Sequence, residues 1–141
     1  MIRLNGRDGD PDRVPKPPRD GLERAKPALL HAAGALGLIG VALGAFGAHG
    51  LRERLSPSML EVYRTGVLYH LIHAVALLAV ALGADRLARP RAVAALFTAG
   101  IVVFSGSLYA LALTGTRGLG AVTPVGGLLF MAGWVTLALN R

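Results

Sequence analysis

His70 and His73 stand three residues apart in the apolar run Thr65-Gly-Val-Leu-Tyr-His-Leu-Ile-His-Ala74, and His49 closes another, Gly44-Ala-Phe-Gly-Ala-His-Gly-Leu51. In a helix that spacing puts both histidines on one face, and imidazole serves as general base, proton carrier and metal ligand. Ser105, Ser107 and Tyr109 add hydroxyls from a third apolar run, and Thr123 from a fourth. Three chemistries suit such a set: a metal held by His49, His70 and His73, a haem ligated across two helices, or a path for a proton or small solute. Each lacks a component. Zinc ordinarily takes four ligands, yet the chain has no cysteine and no Asp or Glu in these runs. Two histidines three apart on one helix cannot ligate a single haem from opposite faces. Proton-coupled pumps commonly use membrane carboxylates. The alternative is a network of neutral histidines and hydroxyls that joins helices, each bond worth about 0.6 to 2 kcal/mol. His49, His70, His73, Ser105, Ser107, Tyr109 and Thr123 are therefore a candidate polar cluster, with no metal and no cofactor assigned to it.

No catalytic residue is assigned either. The chain has no His-Glu-x-x-His and no Gly-x-Ser-x-Gly. Ser105-Gly106-Ser107 has no orienting acid. Gly34, Gly37 and Gly40 lie inside an apolar run with no strand before them, so they are not a phosphate loop.

The elements that must position these groups are long and apolar. Of the 141 residues, 53% are hydrophobic and only 16% charged, whereas a soluble domain carries about 25% charged residues. Four segments hold no charge at all: Pro27 to Leu51, Thr65 to Ala84, Ala92 to Thr116 and Gly118 to Asn140. About 20 helical residues cross the roughly 30 Å hydrocarbon core of a bilayer, and each segment is long enough. The expected fold is all-α, an integral membrane four-helix bundle over residues 28–141 with helices at about 28–49, 57–84, 91–115 and 120–140. Residues 1–27 carry seven Lys or Arg, five Asp or Glu and the run Val14-Pro15-Lys16-Pro17-Pro18, too polar to offset ordering entropy. They are expected to form a disordered tail. Ala45-Phe46-Gly47 resembles a signal-peptidase site, but the apolar run before it exceeds the 7 to 15 residues typical of a signal peptide.

Orientation follows from the basic residues, which collect on the cytoplasmic side of membranes. Of the 15 Lys and Arg, eleven lie in the tail, the second loop (Arg86, Arg89, Arg91) and Arg141. Arg52, Arg54, Arg64 and Arg117 lie on the other side. Both termini are expected in the cytoplasm, and the basic balance needs no nucleic acid to explain it. His31 then lies near the inner boundary, and the candidate polar groups converge on the outer half of the bundle.

Two boundaries carry cap signals. Ser56 precedes Pro57 and Thr123 precedes Pro124, each a capping residue before a proline suited to the first helical position. A helix from Pro57 to Ala84 would be about 42 Å long, projecting beyond the bilayer with Met59, Leu60 and Tyr63 at the interface, either as a docking surface or as an amphipathic turn. A helix from Pro124 would be short, leaving Gly118 to Val122 non-helical near membrane depth unless Pro124 merely kinks a longer helix.

Glycines set the packing. Membrane helices associate through close backbone approach at small residues, with Gly40-x-x-x-Gly44 a familiar spacing. Gly37, Gly40, Gly44, Gly47, Gly106, Gly126 and Gly127 are the expected packing positions, within the chain or, as an alternative, along a homo-oligomer seam.

The two histidine motifs above, together with Phe104-Ser-Gly-Ser-Leu-Tyr-Ala-Leu111 and Thr123-Pro-Val-Gly-Gly-Leu-Leu-Phe130, resemble the domain-of-unknown-function 423 family. These are YgdD-like small bacterial inner-membrane proteins, related to the transmembrane protein 256 family. The resemblance covers about residues 28–140, and the long charged tail departs from it. It implies a compact four-span protein of the cell inner membrane with no established activity. The second-helix motif is similar to the family's Tyr-Gln-x-x-His: Tyr69 and His73 match, while His70 stands where Gln is commoner. That shifts emphasis from a His70/His73 pair to His73 with His49. The expected function is a non-enzymatic accessory or interaction subunit whose partners are the lipid bilayer and either another membrane protein or a second copy. The alternative is a binding or conduction site for a small solute, proton, metal or haem in the outer half.

Overall fold

The computed structural model describes the backbone of residues 20–139 and the side chains of residues 26–139. The tail expected before Asp20 lies outside the described residues. Four helices follow: α1 Asp20–His49, α2 Pro57–Leu82, α3 Pro90–Thr114 and α4 Thr123–Ala138. All four spans are long and apolar enough to cross a membrane.

The ends show why these segments are helical. α1 begins eight residues before the expected start, because Leu-Glu-Arg-Ala-Lys are good helix formers, and Pro27 sits inside it. At α2 the Ser56 hydroxyl accepts the Met59 N–H at 3.3 Å, with Pro57 in the first turn. Leu60 and Tyr63 do not present a free docking surface: both are buried against Leu51 and Ala112. Gly50 and Leu51 donate back to the Phe46 carbonyl, which folds the first loop over the end of α2. α3 ends at Gly115, whose φ of 69° is left-handed and suits glycine. Thr123 does not cap α4. Val122 before it is already helical at φ −83°, ψ −29°, since the tight turn Arg117–Ala121 winds directly into the helix.

α3 departs from the straight helix expected of it. Residues Ile101–Ser105 form a π-helical stretch in which the Gly106 N–H reaches back to the Ile101 carbonyl. Such single-turn widenings are uncommon.

α2 and α3 form the central pair, with α1 packed along α2 and α4 along α3. The helices run antiparallel, and the seams are aromatic rings or aliphatic branches laid over glycines. A Cβ on Gly47 would meet the Tyr63 ring at 2.7 Å, one on Gly40 would meet Leu71 at 2.7 Å, and one on Gly44 would meet Val67 at 3.2 Å. Between α3 and α4 the pairing is reciprocal: Phe130 covers Gly100, and Phe97 covers Gly133. Gly126 lies directly on the backbone of Phe104. Gly37 and Gly106 face open space instead, and Gly127 makes only ordinary contact. Gly66, against the Tyr109 ring, takes part without having been expected. Leu38, Ile72, Val75, Val102, Leu128 and Met131 are exposed on the outside, where hydrocarbon meets them.

Candidate functional site

The seven candidate polar residues do not form one cluster. His70 and His73 are about 60° apart around α2 at 100° per residue. Because α2 is central, that angle is enough to send them to different neighbours.

His70 joins α1, α2 and α3. Its Nε2 lies 3.0 Å from the Leu36 carbonyl, which can only accept, so the proton is on Nε2. Nδ1 then accepts from the Tyr109 hydroxyl at 3.2 Å. Tyr63, whose ring centroid is 5.0 Å from that of Tyr109, donates its hydroxyl to the Leu43 carbonyl at 3.0 Å. Both acceptors are backbone carbonyls of α1, and each lies four residues before a packing glycine, Gly40 and Gly47. In an α-helix the carbonyl of residue i is covered by the turn at i+4. A missing Cβ there lets a donor on the neighbouring helix reach the carbonyl's second lone pair. The glycine stripe thus admits hydrogen bonds as well as close packing.

His73 joins α2, α3 and α4 with the opposite tautomer. Its Nδ1 lies 2.8 Å from the Tyr69 carbonyl and must donate. Nε2 therefore accepts the indole N–H of Trp134, a group that can only donate, at 3.2 Å. The imidazole stacks on Phe130 with centroids 3.5 Å apart and planes 10° from parallel. Phe97 meets its edge at 5.5 Å. With one nitrogen donating and the other accepting, His73 is held neutral and offers no lone pair to a metal. It sits about 14 Å along the axis from the Leu82 end of α2 and about 24 Å from Pro57. That places it on the Leu82 side of the midpoint of α2.

The hydroxyls form a third group. Ser107 donates to the Phe104 carbonyl at 2.9 Å and accepts from Thr123 at 2.8 Å, which ties α3 to the start of α4. Ser105 is fully buried and, among the described residues, its hydroxyl has no partner. His49 ends α1 as an exposed residue. It does not meet His73, whose two nitrogens are both engaged within the bundle. Among the described residues, no three His, Cys, Asp or Glu side chains group together. Trp134 was missed in the sequence. Its signal was available, since a lone indole N–H in an apolar span must find an acceptor.

Comparison with known proteins gives the chain its relatives. The family described as Protein of unknown function (DUF423) matches residues 43–127. The Bacillus subtilis UPF0382 membrane protein YwdK is 48% identical over 103 residues, 71% of this chain and 84% of that protein. A Haemophilus influenzae UPF0382 membrane protein is 46% identical over 103 residues, 72% and 83% of the two chains. The Schizosaccharomyces pombe UPF0382 membrane protein C1782.12c is 37% identical over 117 residues, 76% and 95%. No solved structure matches the chain. With four apolar spans and relatives of this similarity along most of its length, the chain belongs to the DUF423 family of membrane proteins and is itself a multi-pass membrane protein.

Proposed function

We propose that this protein is a non-enzymatic accessory or interaction subunit of the cell inner membrane, with both termini in the cytoplasm. The observation that supports it is the engagement of every nitrogen of the two buried imidazoles by partners inside the bundle. Polar groups used in this way join helices and leave the outer surface to do the work. Purified protein is expected to carry no stoichiometric metal by elemental analysis and no visible absorption band, and cross-linking in native membranes to trap a defined protein partner. A partnerless protein loaded with metal or haem would refute the proposal. A C-terminal reporter active only outside the cytoplasm would refute the orientation while leaving the subunit role standing.

The second reading, a small-solute or proton site, draws on Ser105 alone. An unpartnered buried hydroxyl costs about 1 to 3 kcal/mol of desolvation, so Ser105→Ala is expected to leave thermal stability in detergent unchanged or higher. A clear loss of stability would mean that the hydroxyl is satisfied by a bound polar ligand, and would favour this reading.

A further inference from the structure

Helix α3 carries a hydrogen-bond mismatch at its π-helical stretch. A serine inside an α-helix can donate its hydroxyl to the carbonyl four residues back, which for Ser105 is that of Ile101. Within Ile101–Ser105 the same carbonyl receives the Gly106 N–H. Ser105 is fully buried and, among the described residues, its hydroxyl has no partner. We infer that α3 has two registers and that this stretch is the joint between them: in the second register it winds as ordinary α-helix, and Gly106–Thr114 turns by one residue. The inference is independent of the subunit role.

The two sides of the joint are held differently. Before it, Phe97 and Gly100 are seated against Gly133 and Phe130 of α4. Beyond it, α3 is tied to its neighbours by two side-chain hydrogen bonds, Tyr109 to His70 and Ser107 with Thr123. A π-turn takes up one residue more than an α-turn. Rewinding it against the fixed first half brings Gly106 to where Ser107 stands and Leu108 to where Tyr109 stands. Both side-chain bonds then break, and the Ser105 hydroxyl gains the Ile101 carbonyl. The two bonds are therefore the latch of the π register, and Ser105 is what favours the other.

The surroundings leave room for the change. Gly126, on the backbone of Phe104, has no side chain to obstruct rewinding, and a Cβ on Gly106 meets nothing within 4 Å. The Leu108 Cβ already lies 3.3 Å from where a Cβ on Gly66 would stand, so an apolar side chain is at hand to replace the Tyr109 ring. The added length, about 1.5 Å, passes to Gly115 and the turn Arg117–Ala121. That turn moves with the register, so whatever binds it in one position selects that register.

The chain has no cysteine, so introduced pairs report the two registers in native membranes under mild oxidation, with disulfide formation read by mass spectrometry. Ser107→Cys with Thr123→Cys is expected to close readily, because the native hydroxyls are 2.8 Å apart and a disulfide needs Cα atoms within about 7 Å. Gly106→Cys with Thr123→Cys closes only from the straight register. Its initial rate is expected to rise about tenfold when Tyr109→Phe removes a latch bond, and to fall when Ser105→Ala removes the hydroxyl that the straight register satisfies. Leu108→Cys with Thr123→Cys is aligned in neither register and should stay slow throughout. A 106–123 rate that Ser105→Ala does not lower would overturn the inference. So would a 108–123 rate that rises with the 106–123 rate in Tyr109→Phe, which would mean a loosened helix and not a second register.

Discussion

Gly126→Ala is expected to unfold the α3–α4 half of the bundle. A Cβ at Gly126 would fall within contact of the Phe104 backbone nitrogen and 2.6 Å from its Cα. A flexible side chain could swing away from such a clash, but these are main-chain atoms of the π-helical stretch, held from both sides by helix α3. Relief requires moving α4 away, and that breaks the reciprocal seats of Phe130 on Gly100 and Phe97 on Gly133. It also separates the Ser107 and Thr123 hydroxyls, now 2.8 Å apart. Overpacking a tight interior costs about 1 to 3 kcal/mol and more where backbone must shift, so about 3 kcal/mol or above is expected. Thermal unfolding in mild detergent measures it. Gly106→Ala is the control: its Cβ meets nothing within 4 Å, and replacing a mid-helix glycine should be neutral or stabilise by up to about 1 kcal/mol. Equal melting of Gly126→Ala and wild type would remove the close backbone seam from the account of this fold.

His73→Ala is expected to cost about 3 to 5 kcal/mol, comparable to deleting a buried aromatic ring. It removes the stack on Phe130 and the edge contact with Phe97. It also strands the Trp134 N–H in hydrocarbon, where no water can receive it. Trp134→Phe keeps a ring on α4 but removes the donor, leaving the Nε2 lone pair of His73 unmet. The two sites should therefore couple. In a double-mutant cycle the interaction energy should fall in the range of about 0.6 to 2 kcal/mol found for hydrogen bonds between membrane helices. Additive costs would mean that the indole covers His73 without bonding it, which would also reopen Nε2 as a ligand position.

The four spans were legible because hydrocarbon leaves the chain little choice. A bilayer tolerates neither charge nor unpaired backbone, so four charge-free runs of sufficient length had to be helices. Ser56-Pro57 marked the start of α2 correctly, since capping depends on local backbone chemistry alone. Thr123-Pro124 misled for a tertiary reason: the Thr123 hydroxyl bonds Ser107 on α3, not its own helix.

The site was much less legible. In a soluble bundle the buried face announces itself by contrast with a polar one, but here lipid and interior are equally apolar, so the pattern does not say which way a helix faces. The seven polar residues could be read as one cluster because their depths were judged from residue counts and their directions were not known. What the sequence determined is the number of spans, where most of them end and which few side chains need hydrogen-bond partners, all consequences of excluding water. What only the tertiary structure decided is the pairing: Tyr63 and His70 to carbonyls opened by Gly47 and Gly40, His73 to Trp134, Gly126 to the backbone of Phe104. Those contacts depend on helix rotation and on the π-helical stretch, which are settled by fitting rings to glycines across seams between helices far apart in the chain.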